Sequence, residues 1–256
     1  MQDMPRVAAL YRYPVKGLSP ELLEQAPLAP GGTMPADRMW AIEAIPGKLD
    51  PEQPRHLPKI VFYMLMRDEA LARLRTRYDD TTATLTVADA TGAELARGDL
   101  ARAEGRAAIE AFVAGFLGAA LRGPPRIVSA AGHSFSDVRE KCLHVVNLAS
   151  LRELERIAGR RIDIRRFRAN VVLDGLPAWS ELDLVGRDVK IGGVLLRGLK
   201  RTERCAATNV DPATGARDMA IPGMLQAALG HTDFGIYMSV MSPGTLATGD
   251  AVEVGA

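Results

Sequence analysis

The chain has 256 residues, of which 47% are hydrophobic, and Lys+Arg 32 against Asp+Glu 31 leaves a formal charge of +1. This length fits one large domain or two modest ones with a real core, and the balanced charge gives no global field favouring nucleic acid or a membrane surface. No apolar run approaches the roughly 18 residues that span a bilayer, and Met1–Arg6 lacks the basic-then-apolar order of a signal peptide. Cys142 and Cys205 lie far apart in different settings, so a disulfide framework is not expected and a reducing, cytoplasmic location follows. With no CxxC, HExxH, P-loop or GxGxxG pattern and four scattered histidines, structural zinc and common nucleotide folds are excluded. Only six of the 32 cations are lysines. The rest are arginines, whose forked donors suit oxyanions.

Val7–Tyr13 reads as a strand stopped by Pro14. Leu22–Leu28 and Met39–Ile45 read as further strands, Lys48–Pro58 with its three prolines as an irregular loop, and Ile60–Met66 as a buried strand. Asp68–Tyr78 has helical spacing, and Thr82–Val87 alternates as a strand. Ala101–Leu117 is the longest helical signal, with Ile109, Phe112, Val113, Phe116 and Leu117 on one stripe. A composition break at Arg122-Gly123-Pro124-Pro125 separates a domain over 1–122 from one over 123–256. Beyond it, Leu143–Val146 is a strand, Ser150…Glu153 has capping-box spacing and opens a helix to Ala158, and Arg168–Leu173 is a strand. Gly192-Gly193 turns a hairpin within Val189–Leu199, Met224–Leu229 is helical up to Gly230, and Phe234–Met241 and Ala251–Val254 are strands. The fold class is mainly β with some α, two linked β-rich domains, the second with the many short strands and tight turns of a barrel.

Cys205 is the leading candidate for chemistry. It follows Arg201-Thr202-Glu203-Arg204, and nearby guanidinium groups favour the thiolate, which is both the nucleophile and the soft-metal ligand. Cys142, beside Leu143, Val145 and Val146, reads as core. An extended Arg165–Val172 puts Arg166, Arg168 and Asn170 on one face, either an oxyanion site or an edge strand guarded by charge. Lys16, after Tyr13-Pro14-Val15, is either a fixed point charge for phosphate or a solvated surface lysine. Asp37-Arg38 is either a site arginine with its orienting carboxylate or a turn ion pair, and Asp137 is an acid, an acceptor or, on local sequence, a cap. No histidine has a partner pattern for a triad.

In order, Tyr13-Pro14-Val15-Lys16 and Asp37-Arg38-Met39-Trp40 resemble the N-terminal β-barrel domain that accompanies MOSC (molybdenum cofactor sulfurase C-terminal) domains. Phe135-Ser136-Asp137, Arg166-Phe167-Arg168-Ala169-Asn170, Arg204-Cys205, Val210–Gly215, Phe234–Tyr237 and Pro243-Gly244-Thr245 resemble the MOSC domain itself. The resemblance, which extends to the amidoxime-reducing component family, implies a molybdenum cofactor, molybdopterin carrying the metal, with Cys205 as thiolate ligand. It implies that Lys16, Arg38, Arg168 and Asn170 hold the pterin and its phosphate, and that Asp137, with Ser136 beside it, lies near the metal. The implied activity is reduction of small N-hydroxylated substrates with electrons from a separate ferredoxin, flavin or heme protein. The alternative is a sulfur carrier whose Cys205 persulfide is supplied by a pyridoxal-phosphate cysteine desulfurase. Gly17 stands where relatives often have a small hydroxyl residue, and Ala169 where they have proline.

Overall fold

Backbone pairing in the computed structural model, which describes residues 4–255, is dominated by one mixed sheet of eight strands. Its order is Val252–Val254, Asp188–Ile191, Val194–Glu203, Asp233–Val240, Leu143–Asn147, Val171–Asp174, Arg6–Arg12 and Glu21–Leu23. All neighbours are antiparallel except Leu143–Asn147 with Val171–Asp174, which are joined through the helix Leu148–Ala158 as a parallel crossover requires. Arg6–Arg12, an interior strand, and Glu21–Leu23 beside it are thus the first-half contribution to a sheet otherwise built from the second half of the chain. The start of Arg6–Arg12 also bridges Arg6 to Ala251, with Val7 N donating to Asp250 O (2.9 Å) and Val252 N to Pro5 O (2.8 Å). These bonds bring the two ends of the run together, so the sheet curls into a barrel-like wall and hides its edges. Inside it, Val7, Leu10, Val145, Leu173, Ile191, Leu196, Ile236 and Met238 form one buried cluster.

A second core belongs to the first half. The three-stranded meander Arg75–Asp79, Thr84–Ala88 and Glu94–Asp99 packs against the helix Ala103–Leu117, which buries Ile109, Val113 and Leu117. Ala41–Glu43 pairs with Arg126–Val128, and Gln25–Leu28 with Gly244–Ala247. The remaining helix, Ile221–Leu229, has Pro222 in its first turn and ends at Gly230 in the left-handed conformation. No helix among the described residues is long and apolar enough to cross a membrane.

Several local expectations need correction. Ile60–Met66 is not a strand and is buried only over Val61–Met64, with Ile60 exposed: a single 3-10 turn at Lys59–Val61 leads into irregular backbone with one bridge, Phe62 to Glu43. Asp68–Tyr78 splits into a 3-10 turn, Glu69–Arg73, and a strand, because Leu74 turns extended and puts Tyr78 into the meander core. The second helix starts at Leu148, capped by the Asn147 side chain on Ala149 N, rather than at Ser150. Ser150 is buried and spends its hydroxyl on Glu181 and on Trp179 N. Arg165–Val172 is not continuous strand: Ile164–Phe167 is a 3-10 turn, Arg168 is left-handed (φ +53°), and the strand begins at Val171.

Candidate functional site

A cavity of about 650 Å³ opens at one end of the wall, lined by residues from both halves of the chain. Lys16, Arg38, Ser136, Asp137, Arg168, Asn170 and Cys205 all line it.

The first-half contribution begins where Pro14 ends the first strand's pairing. Val15 bridges to Trp40, and Lys16 N donates to Trp40 O (2.8 Å), which fixes the lysine backbone. Its buried ammonium donates to Phe135 O (2.8 Å) and pairs with Asp137 Oδ1. Asp137 is therefore a partner of Lys16 rather than a cap, with its side chain 47% exposed toward the cavity. Burial pushes the Lys16 pKa down, against the pull of Asp137. For Asp137 desolvation raises the pKa, but Lys16, Lys59 and Arg38 outweigh it and hold the carboxyl well below the usual range.

Gly17 follows in a left-handed conformation (φ +84°), where a Cβ would stand 2.7 Å from Tyr63 O. A hydroxyl side chain has no room here on this backbone. We expect Gly17→Ser to cost about 2–3 kcal/mol, as a strained non-glycine position against a carbonyl does. That corresponds to a fall of roughly 4–12 °C in Tm for a chain of this size. A thermal melt within about 1 °C of the parent would show that the backbone relaxes instead.

Tyr13 organises the arginines. The guanidinium carbons of Arg168 and Arg38 lie 4.2 and 4.8 Å from its ring centroid, within cation–π range. Asp37, buried, accepts from Tyr13 N (2.8 Å) and from Arg38 Nη1, while Arg38 Nη2 donates to Arg168 O (3.1 Å). Arg168 Nη1 donates to Leu18 O (2.8 Å). Both arginines have positive φ, a cost of about 1–3 kcal/mol each that persists only where surroundings impose it. Here Arg38 N is held by Tyr13 O (2.7 Å) and Arg168 N by Arg165 O (3.1 Å). Burial and then Arg38 depress the Arg168 pKa to about 10, which leaves it charged at neutral pH. Two cations this close, one of them without a carboxylate partner, favour an anion between them.

Cys205 lies two residues beyond the strand Val194–Glu203, and its carbonyl accepts from Thr208 N (3.0 Å) and Thr208 Oγ1 (2.9 Å). Its half-buried thiol makes no hydrogen bond among the described residues. Cys142 also lines the cavity but is buried, with its pKa pushed up to about 12 by desolvation, so it remains a thiol. Next to Cys205, Arg204 Nη2 donates to Phe167 O (2.8 Å) and Nη1 reaches His144 Nε2 (3.3 Å). An arginine only donates, so Nε2 is the acceptor and the imidazole carries its proton on Nδ1. Burial, then Arg204 and Arg38, push His144 well below its ordinary pKa, consistent with a neutral ring. Tyr237, raised to about 12 by burial, keeps its proton.

Two residues sit in the site without aiming free polar atoms into it. Asn170 Oδ1 accepts from His144 N (3.1 Å) and Nδ2 donates to Tyr11 O (3.2 Å), lacing the cavity floor to the first strand. Ser136 Oγ donates to Val138 O (2.6 Å) and shapes its turn. Arg166 does not share a face with Arg168: it is buried and bound to Asp211, Asp218 and the carbonyls of Thr208 and Asn209. The sequence reading passed over His144 and Tyr237 and gave Arg204 no role of its own. For His144 a signal existed, since alternation places it opposite Leu143 and Val145, both in the barrel core.

The chemistry of this lining is specific. Among the described residues no group of three or more His, Cys, Asp or Glu could cage a bare ion. One unengaged thiol therefore suits a metal that brings most of its own ligands. Arg166 Nε, Thr202 Oγ1 and Arg204 Nε, on residues that line the cavity, are buried without a partner among the described residues, which marks this wall as polar beneath its surface.

Comparison with known proteins assigns the chain to a family. The MOSC N-terminal beta barrel domain matches residues 4–120 and the MOSC domain residues 130–253. The mitochondrial amidoxime-reducing component 1 of Mus musculus is 33% identical over 120 residues, 42% of this chain and 35% of that protein. Its Homo sapiens counterpart is 28% identical over the same shares. The matched segment thus spans about a third of these relatives. Among solved structures, the YuaD protein from Bacillus subtilis covers 98% of this chain and 95% of its own, at 14% identity and TM-score 0.47. YiiM from Geobacillus stearothermophilus covers 44% and 54% at 18% identity and TM-score 0.36. With both matched regions in order along the chain, this protein belongs to the family of MOSC-domain proteins that carry the N-terminal β-barrel domain.

Proposed function

We propose that the cavity holds a molybdenum cofactor through Cys205 and that the protein reduces N-oxygenated compounds with electrons from a separate donor protein. The observation carrying this reading is the half-buried Cys205 thiol, without a hydrogen bond among the described residues, on the wall of a 650 Å³ cavity whose charged lining is mostly cationic. That volume lies within the roughly 300–1,000 Å³ of small-molecule and cofactor sites. Arg168 and Arg204, with no carboxylate partner among the described residues, would grip the pterin and its phosphate, helped by Arg38 and Lys16. Asn170 and Ser136 act as positioning residues, holding the floor and the turn that carries Asp137.

The bound cofactor would supply two-electron oxygen abstraction. In the net reaction an N–OH substrate takes up two electrons and two protons, the N–O bond breaks, and oxygen leaves as water. A ferredoxin, flavin or heme protein supplies the electrons. Asp137, ionised at neutral pH, accepts a hydrogen bond from the substrate nitrogen rather than donating a proton. The Tyr237 hydroxyl, still protonated, donates to the departing oxygen.

Arg168→Ala removes a charge-assisted contact worth about 1.5–3 kcal/mol, so cofactor retention should weaken about 10- to 150-fold. Occupancy after extended dialysis checks it, and undiminished occupancy contradicts the assignment. The reading as a whole is tested by purification from a cofactor-competent host, metal analysis, and benzamidoxime turnover with a chemical reductant. Stoichiometric molybdenum with no turnover overturns the reductase. A metal-free protein that takes up a sulfur atom on Cys205 from a cysteine desulfurase favours the sulfur-carrier role instead.

A further inference from the structure

Beside the first cavity lies a second of about 350 Å³, and Ser136 and Val138 form walls of both. Its lining includes Arg55, Arg139, Lys141, His56 and His133. The one carboxylate present, Glu140, is ion-paired with Lys200 (3.1 Å). Among the described residues, Arg55, Arg139 and Lys141 have no carboxylate within 4.0 Å.

This arrangement is built rather than incidental. The loop that supplies Arg55 and His56 is anchored at its base by the fully buried Glu43, which accepts from Gly47 N (3.0 Å), Lys48 N (3.1 Å) and Leu49 N (2.8 Å). Pro51, Pro54 and Pro58 stiffen the loop beyond that anchor. Across the cavity, the His133 ring packs edge-on against buried Phe135 at 4.8 Å. Desolvation, then Lys16 and Arg139, lower the His56 pKa, and desolvation, then His56 and Lys141, lower that of His133. Asp137 and Glu140 offset this only in part at His56, and an anion entering the cavity would meet the guanidinium groups of Arg55 and Arg139, which have no carboxylate within 4.0 Å among the described residues.

We propose that this second cavity is an anion subsite for a small phosphorylated molecule, gripped by Arg55 and Arg139. Guanidinium forks match phosphate oxygens bidentately, and the imidazole rings offer flat surfaces to an attached base. The size, near the lower end of about 300–1,000 Å³ for small-ligand pockets, fits such a molecule better than a protein face. The phosphate could belong to a nucleotide extension of a cofactor seated next door or to a separate phosphorylated metabolite. Neither Arg55 nor Arg139 lines the first cavity, so the fate of this site is separable from that of the Cys205 reading.

The test is calorimetric titration of the full chain with AMP, and with adenosine as the phosphate-free control. AMP should bind at least about tenfold tighter than adenosine, a difference of roughly 1.4 kcal/mol. The Arg55→Ala/Arg139→Ala double variant, altered only at exposed side chains, should lose about tenfold or more of AMP affinity while melting normally. Mass spectrometry of material released from denatured holoprotein separates the sources. A pterin carrying a nucleotide indicates the extension, whereas a nucleotide-free pterin together with AMP binding to the holoprotein indicates a separate ligand. Absence of AMP binding by protein that releases no nucleotide on denaturation, or equal AMP binding by the double variant, overturns the proposal. So does an acidic peptide that needs both arginines while AMP does not bind, which would make this face a protein-docking surface.

Discussion

Cys205→Ser is expected to abolish metal retention while leaving the fold intact. Serine keeps the size of the side chain but replaces a soft, ionisable sulfur with a hard hydroxyl that stays protonated near neutrality. Loss of a thiolate–metal bond should lower molybdenum occupancy and N-reduction by about 100-fold or more, at least about 2.7 kcal/mol. Stability should barely move. The Cys205 thiol is half-buried and makes no hydrogen bond among the described residues, and what holds this turn is its carbonyl, taken by Thr208. Substitutions without core contacts usually stay within about 0.5 kcal/mol, or some 1–2 °C in Tm. Elemental analysis beside a thermal melt separates the two contributions. Full occupancy in the serine variant refutes ligation by Cys205, and a large fall in Tm marks it as a packing residue.

Arg166→Ala should do the reverse, damaging the fold first. The guanidinium side chain is 2% exposed and bonds Asp211 Oδ2 (3.0 Å), Asp218 Oδ1 (2.7 Å) and the carbonyls of Thr208 and Asn209. Asp211 in turn accepts from Ala213 N and Thr214 N, and Asn209 Oδ1 accepts from Ile221 N at the start of the third helix. One side chain therefore ties the turn before Arg168 to the turn after Cys205. On its removal Arg160 still holds Asp218 (2.8 Å) and backbone donors still hold Asp211. One oxygen of each carboxylate and the carbonyls of Thr208 and Asn209 nonetheless lose their buried donor, at a cost of about 3–5 kcal/mol. At roughly 2–4 °C per kcal/mol for this length, Tm should fall by about 6–20 °C. Arg166→Lys, which keeps the charge but cannot reach four acceptors, should fall between. An alanine variant melting within about 2 °C of the parent would show the cluster to be energetically idle.

What could be read from the sequence follows the range of the interactions involved. The Gly192-Gly193 hairpin, the helix ending at Leu117 and the strand Asp233–Val240 are written in local periodicity and turn residues, and the structure has them. The segments from Ile60 to Tyr78 were misjudged because apolar spacing reports burial without saying which backbone achieves it. There, side-chain contacts and short turns stand in for regular pairing. Within the site, Cys205 stood out by its charged neighbours and Lys16 by the proline before it. The Arg204–His144 contact spans 60 residues, and the Tyr13 platform joins positions 13, 38 and 168, so no window along the chain contains either. The extended reading of Arg165–Val172 failed for a related reason. Asp163 caps the turn, and Tyr13 with Leu18 draws Arg168 into an unusual backbone that its own neighbours do not dictate.

The placement of Arg6–Arg12 between Val171–Asp174 and Glu21–Leu23 has a consequence for how the molecule comes into being. A fragment starting at Gly123 would lack the two staves that end the strand order and expose unpaired amides along Val171–Asp174, an invitation to aggregate. Glu21–Leu23 follows the Arg6–Arg12 stave after a short connection and can pair with it at once, whereas its other neighbour, Val171–Asp174, lies in the second half of the chain, so one side of the stave stays open until that half is made. The two matched regions therefore share a sheet whose pairing is completed only when the second folds onto a strand supplied by the first.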